Sequence, residues 1–110
     1  MEIIEKTQDG IKIFRLVGRL DFSTSQGIED ELHRAISDGS NKIIIDFENL
    51  DYISSAGLHI IFEAHRTLLR NEGQLILCSM QKYIKEIFKT TRIDDYVLIL
   101  DNLDQALAAF

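Results

Sequence analysis

Two adjacent hydroxyl groups, those of Ser54 and Ser55, are the side chains of this sequence best placed to do chemistry. They follow an apolar run at residues 43–47, which is typical of a buried strand, and they precede an amphipathic helix pattern. The first backbone N–H groups of a helix have no intrahelical partner, and the helix dipole makes that end electropositive. A serine there can cap the helix, or it can carry a phosphate group that the helix end tolerates.

A third use of Ser55 would be as the nucleophile of a hydrolase. Such nucleophiles occupy a G-x-S-x-G turn, whereas Ser55 has Ile53 and Gly57 at the two glycine positions. A hydrolase also needs a base and a carboxylate that orients it. His59 lies about one helical turn downstream, so its ring could approach Ser55, but the nucleophile turn itself is absent. We therefore expect a binding protein and not an enzyme.

Sites for cofactors and metals are missing from the sequence. It contains neither the G-x-x-x-x-G-K-[ST] loop nor the G-x-G-x-x-G loop that cradles nucleotide phosphates. His59 and His65 are six residues apart on one predicted helix, too far round it to share a metal, and His33 falls on another helix. The single cysteine, Cys78, ends an apolar run and is interpreted as a packed core thiol. We expect no cofactor and no metal.

Length and charge limit the remaining classes of function. The 110 residues suffice for one domain, assigned to residues 1–110, and the net charge is −6 with no cluster of basic residues. This charge disfavours direct binding of nucleic acid and favours protein partners with basic surfaces. No apolar run reaches the roughly 18 residues that span a bilayer, so no membrane association is expected. One cysteine fits a reducing compartment, and we expect a cytoplasmic protein.

Hydrophobic patterning predicts an N-terminal β-hairpin followed by alternating helices and strands. Strands are predicted at residues 3–4, 11–17, 43–47, 75–78 and 96–100, and helices at about residues 21–38, 58–70, 84–88 and from 102 onward. The strand at 11–17 is expected to stop at Gly18, and Ser23 and Gln26 have the spacing of a capping box on the first helix. This order predicts an α/β fold with a mixed, mostly parallel sheet of four or five strands and about four helices.

Residues 51–58, DYISSAGL, resemble the signature of STAS domains, specifically of bacterial anti-sigma-factor antagonists. Residues 18–21, GRLD, are similar to the G-x-L-D segment that precedes the first helix in that family. Further segments that resemble the family in register are residues 42–47, 73–77 and 87–94. The resemblance covers essentially the whole chain and implies the STAS fold.

The resemblance also implies a phosphorylation switch. In such antagonists a serine of this loop is phosphorylated by an anti-sigma factor that is itself a serine kinase, and the acceptor falls on Ser55. The unphosphorylated antagonist binds the anti-sigma factor and frees the sigma factor; phosphorylation ends that binding, and a PP2C-type phosphatase restores it. Well-known members have aspartate directly before the acceptor. Here Ser54 stands in that place and is a second candidate acceptor, and Asp21 becomes the nearest carboxylate if the two loops meet.

The expected partner-binding surface is the end of the sheet that carries both serines. Its residues are Asp21, Phe22, Ser23, Thr24, Tyr52, Ser54, Ser55, Gly57 and His59. Phe22 and Tyr52 are either aromatic anchors for the partner or core residues. Gly57 is expected to permit close approach of either backbone or the partner near the acceptor. In a rival interpretation the same loop is a docking surface in a lipid-transport ABC complex or a stress-signalling scaffold, without turnover of phosphate.

Overall fold

A five-stranded sheet with four helices forms the domain, as a computed structural model covering residues 1–110 shows. The elements are β1 (Glu2–Gln8), β2 (Ile11–Leu20), α1 (Ser25–Ser37), β3 (Lys42–Ile53), α2 (Ser55–Arg70), β4 (Gln74–Cys78), α3 (Lys82–Thr90), a 3-10 turn (Ile93–Asp95), β5 (Leu98–Leu100) and α4 (Leu103–Ala108). The strands lie in chain order, with β1 antiparallel to β2 and all other neighbours parallel. The predicted fold, including the N-terminal hairpin, is confirmed.

The centre of the sheet is covered on both faces, which explains the unbroken apolar run of β3. Ile43 and Ile45 belong to the larger core, which β3 shares with α1, α2 and α3. Ile44 belongs to a smaller cluster on the opposite face, which contains Ala106 of α4. A strand that packs on both faces gains from apolar residues at every position, so it loses the usual alternation with polar residues.

Strands β2 and β3 both run further than the sequence indicated. β2 continues past Gly18 to Leu20, and β3 continues to Ile53, with Arg19 paired to Tyr52. The register shifts twice along this pair, so that β3 carries two more residues than the matching part of β2. These bulges interrupt the apolar pattern without ending the ladder, and hydrophobic periodicity therefore located the strand ends too early.

The start of α1 and the start of β5 also differ from the prediction. Thr24, not Ser23, precedes the first turn of α1, and no side chain caps it. The amide of Gln26 bonds to Glu29 and Asp30 further along the helix, so the predicted capping box does not form. β5 begins at Leu98 instead of residue 96, because the chain first makes the 3-10 turn after α3.

Candidate functional site

The carboxyl ends of β2 and β3 bring the two predicted loops together. Leu20 and Ile53 are paired at the end of the ladder, and the backbone N–H of Ser54 donates to the Leu20 carbonyl oxygen at 2.9 Å. The turn that starts at Asp21 therefore lies next to the start of α2. The expected meeting of the two loops at one end of the sheet is confirmed.

The two serines make different interactions at the start of α2. Ser54 is the N-cap residue, with extended backbone angles (φ −98°, ψ 174°), and its Oγ accepts the N–H of Gly57 at 3.4 Å. Ser55 is the first helical residue; it is exposed, and its hydroxyl makes no hydrogen bond to the protein. From the sequence, either serine could be the cap. In the structure Ser54 caps the helix and Ser55 presents a free hydroxyl to solvent.

Because Ser54 caps α2 and Ser55 does not, substitutions of the two serines are expected to affect stability differently. Ser54→Ala is expected to lower the free energy of unfolding by about 0.5–1 kcal/mol, because the helix loses its only side-chain cap and the bond is long. Ser55→Ala removes no hydrogen bond and is expected to change it by less than about 0.5 kcal/mol. Urea denaturation followed by circular dichroism measures both. Equal losses in the two variants would contradict the assignment of the cap.

A tight turn built around Asp21 carries the residues between β2 and α1. Its carboxylate accepts the Ser23 hydroxyl at 2.7 Å and the N–H groups of Ser23 and Thr24 at 3.0 and 3.2 Å. These bonds, chiefly that from the Ser23 hydroxyl, hold the pKa of Asp21 below its usual value. The Thr24 hydroxyl donates to the Arg19 carbonyl at 2.8 Å. Asp21, Ser23 and Thr24 thus bond mainly to one another and fix the shape of the turn.

Two aromatic side chains of this end point outward. Phe22, at the tip of the turn, is 86% exposed, and Tyr52, near the end of β3, is 38% exposed. The Arg19 guanidinium lies 4.2 Å from the centroid of the Tyr52 ring, a cation–π distance. Neither ring fills the core, so the interpretation as core residues is wrong, and the role of both rings as partner anchors stays a prediction.

The prediction that Gly57 contributes to the partner-binding surface is wrong. It is buried, and a Cβ atom there would lie 2.7 Å from Cγ of Leu20 and 3.0 Å from Cγ1 of Ile53. The close approach that this glycine permits is therefore to its own chain. It lets the first turn of α2 settle on the ends of β2 and β3, and so places the two serines.

Ser55 also borders a groove that the sequence did not reveal. The groove encloses about 380 Å³ and is lined by Ser55, Leu58, His59, Phe62, Thr91, Arg92, Ile93 and Tyr96. The Phe62 and Tyr96 rings meet edge to face, 5.8 Å apart, so that the segment after α3 is packed against α2. His59 lies on the exposed face of α2 at the rim. The sequence held one signal of this groove: Arg92 and Tyr96, a cation and an aromatic residue, stand close together in the polar segment after α3.

Three further observations concern groups outside this end of the domain. His65 is buried with no hydrogen bond to its Nδ1 atom, and burial lowers its pKa. Cys78 is a buried thiol whose pKa burial raises to about 11, as expected of a packed cysteine. No three histidine, cysteine or carboxylate side chains are arranged to hold a metal ion, and none of the helices has the length and apolarity needed to cross a membrane.

The sequence matches the STAS domain family over residues 2–106. The chain belongs to the STAS domain family. This STAS domain is 29% identical over 102 residues to BtrV of Bordetella bronchiseptica, whose name places it among the anti-sigma factor antagonists; the match covers 93% of this chain and 88% of that protein. It is 27% identical over 95 residues to the anti-sigma-B factor antagonist of Staphylococcus aureus, covering 86% and 88%. Both relatives are named as antagonists and not after a reaction.

Solved structures show the same fold. A protein of Thermotoga maritima that is classed with the anti-sigma factor antagonists superposes on this STAS domain with a TM-score of 0.93 at 19% identity, covering 97% of this chain and 92% of that one. The Bacillus protein SpoIIAA, at 21% identity, gives TM-scores of 0.79 in its unphosphorylated form and 0.78 in its phosphorylated form, covering 98% of this chain and 96% or 98% of SpoIIAA. The resemblance to anti-sigma-factor antagonists is confirmed.

Proposed function

We propose that this STAS domain is an anti-sigma factor antagonist that is switched off by phosphorylation at Ser55. The observation that carries the proposal is the division between the serines: Ser54 is engaged in capping α2, whereas the Ser55 hydroxyl is exposed and unbonded. A kinase can reach Ser55 without breaking a hydrogen bond of the fold. The antagonists among the relatives supply the class of partner, an anti-sigma factor.

The proposed switch consists of two group transfers that other proteins catalyse. An anti-sigma factor of the serine-kinase type positions ATP so that Ser55 Oγ attacks the γ-phosphorus; the hydroxyl proton leaves and ADP departs. A PP2C-type phosphatase reverses this with water, which releases inorganic phosphate and restores the hydroxyl. The phosphoserine carries a charge of about −1.5 to −2 at neutral pH. The antagonist is the substrate in both reactions and supplies no catalytic group of its own.

Phosphorylation is not expected to unfold the domain. Ser55 loses no intramolecular bond, and a phosphate at a helix start gains about 0.3–1 kcal/mol from the dipole. Both quantities are small against a typical folding stability of about 5–15 kcal/mol. SpoIIAA supports this expectation, since its unphosphorylated and phosphorylated structures both share the present fold.

In this proposal the switch acts through the partner surface around Ser55. The exposed Phe22 and Tyr52 provide apolar anchors on one side, and His59 extends the surface along α2. A dianion in the middle of such a surface places charge against whatever the partner buries there. A charge that is buried at an interface without an opposite charge beside it costs several kcal/mol, which is enough to end binding.

The test begins with the kinase that the unphosphorylated protein captures from native lysate. Incubation with this kinase and ATP is expected to add one phosphate to the wild type and to Ser54→Ala, and none to Ser55→Ala, as mass spectrometry of the intact proteins would show. Ser54→Ala is the matched control because it removes the neighbouring hydroxyl. Phosphate on Ser54, or no phosphate on the wild type, would reject the proposal.

A second comparison separates the switch from the docking alternative. Baits that carry serine or phosphoserine at position 55 are expected to differ, with the kinase captured only by the serine form. If both baits captured the same proteins, such as subunits of a lipid-transport ABC complex or a stress-signalling scaffold, this end of the domain would be a constitutive docking surface instead.

A further inference from the structure

The groove beside Ser55 differs in charge from the rest of the chain. The chain has a net charge of −6, yet the groove lining contains one arginine, Arg92, one histidine, His59, and no carboxylate. Arg92 is exposed and forms no ion pair, whereas Arg19 and Arg34 each lie within 4 Å of a carboxylate oxygen. An unpaired guanidinium beside an apolar cleft is available to an anion.

The backbone holds Arg92 at a defined place in this groove. Its N–H donates to the Lys89 carbonyl at the end of α3, and its carbonyl accepts the N–H of Asp95, both at 3.1 Å. Its left-handed conformation (φ 63°) forms the corner between α3 and the 3-10 turn. Asp94 and Asp95 follow Ile93 in this turn, but neither lines the groove and neither forms a salt bridge with Arg92. Arg92 therefore lines the same groove as Ser55, and no carboxylate residue lines it.

We propose that Arg92 is a phosphate clamp for the chain's own Ser55. The inference rests on the proposed phosphorylation of Ser55 and adds what happens to the phosphate afterwards. Both residues line one groove, and a guanidinium matches phosphate oxygens with two parallel N–H donors. The clamp draws the phosphate over the groove mouth and keeps it dianionic near neutral pH. The partner then meets a fixed charge where an open cleft was before.

The test measures the pKa of the phosphate itself. Phosphoserine is incorporated at position 55 during protein synthesis, so that no kinase is needed, and phosphorus NMR follows the second ionisation, which lies near pH 6 in free phosphoserine. The variants are Arg92→Gln, Arg92→Lys and Arg70→Gln. Arg70 is the matched control, because it is also an exposed arginine without a carboxylate partner but lies at the far end of α2.

The phosphate pKa is expected to be about 0.5 pH unit higher in Arg92→Gln than in the wild type, since the dianion loses an adjacent cation. In Arg92→Lys the phosphate pKa is expected to rise by a smaller amount, because lysine keeps the positive charge. In Arg70→Gln the phosphate pKa is expected to match that of the wild type. Equal pKa values in wild type and Arg92→Gln would overturn the clamp. That result leaves the proposed function intact, whereas a failure of any kinase to modify Ser55 leaves this measurement unchanged.

Discussion

Ser55→Asp is expected to lower the affinity for the anti-sigma factor by about 100-fold while leaving the fold unchanged. Aspartate places a permanent negative charge in the middle of the proposed partner surface, and burying a charge there without an opposite charge beside it costs several kcal/mol. A loss of about 2.7 kcal/mol corresponds to that factor. Because the Ser55 side chain makes no hydrogen bond and opens to solvent, the free energy of unfolding should change by less than about 1 kcal/mol.

Isothermal titration calorimetry measures the affinity, and urea denaturation measures the stability. Ser37→Asp is the matched control: Ser37 is an exposed serine in the last turn of α1, near the amino ends of the parallel strands and away from Ser55. It adds the same charge and should leave the affinity within about twofold, because separated charges in water are screened. A large loss of helicity in Ser55→Asp would contradict the proposed mechanism, since the switch would then act by unfolding the domain.

Gly57→Ala is expected to destabilise the domain by about 1–3 kcal/mol, the usual cost of forcing extra volume into a packed site. The new Cβ would lie 2.7 Å from Cγ of Leu20, a buried side chain held between the sheet and α2, so either Leu20 or the helix start must move. Movement of the helix start also displaces Ser55. We therefore expect a lower rate of phosphorylation at Ser55 in the same variant.

Gly27→Ala provides the control with the opposite sign. Gly27 is also helical, lies on the exposed side of α1, and would place its Cβ 3.8 Å from the nearest atom, Cδ1 of Ile3. Alanine is favoured over glycine in a helix, so this variant should gain about 0.5–1 kcal/mol. Thermal and urea unfolding of both variants measure the contrast. Equal effects would show that packing against Leu20 does not require a glycine at position 57.

The sequence by itself determined the class of fold and the place of the candidate site. Hydrophobic periodicity is a local property, and it was sufficient to locate the hairpin, the buried β3 and the helix that follows the serines. The order of these elements then allowed few topologies, because parallel strands require crossover helices. That Ser54 and Ser55 stand at a helix start followed from the residues on either side of them.

Only the tertiary structure decided what each residue at that site does. Whether Ser54 or Ser55 caps the helix depends on the backbone geometry at the end of β3, which two bulges shift by two residues relative to β2. The outward direction of Phe22 follows from the turn around Asp21, and Gly57 of α2 is buried because Leu20 at the end of β2 covers it.

The groove beside Ser55 is the feature that the sequence pattern was least able to predict. Arg92 and Ser55 are far apart in the chain, and they line one groove because the Phe62 and Tyr96 rings pack α2 against the segment after α3. Local pattern records which residues favour a helix or a strand. Contacts between distant segments depend on the shapes of the packed side chains, and those shapes exist only once the chain has folded.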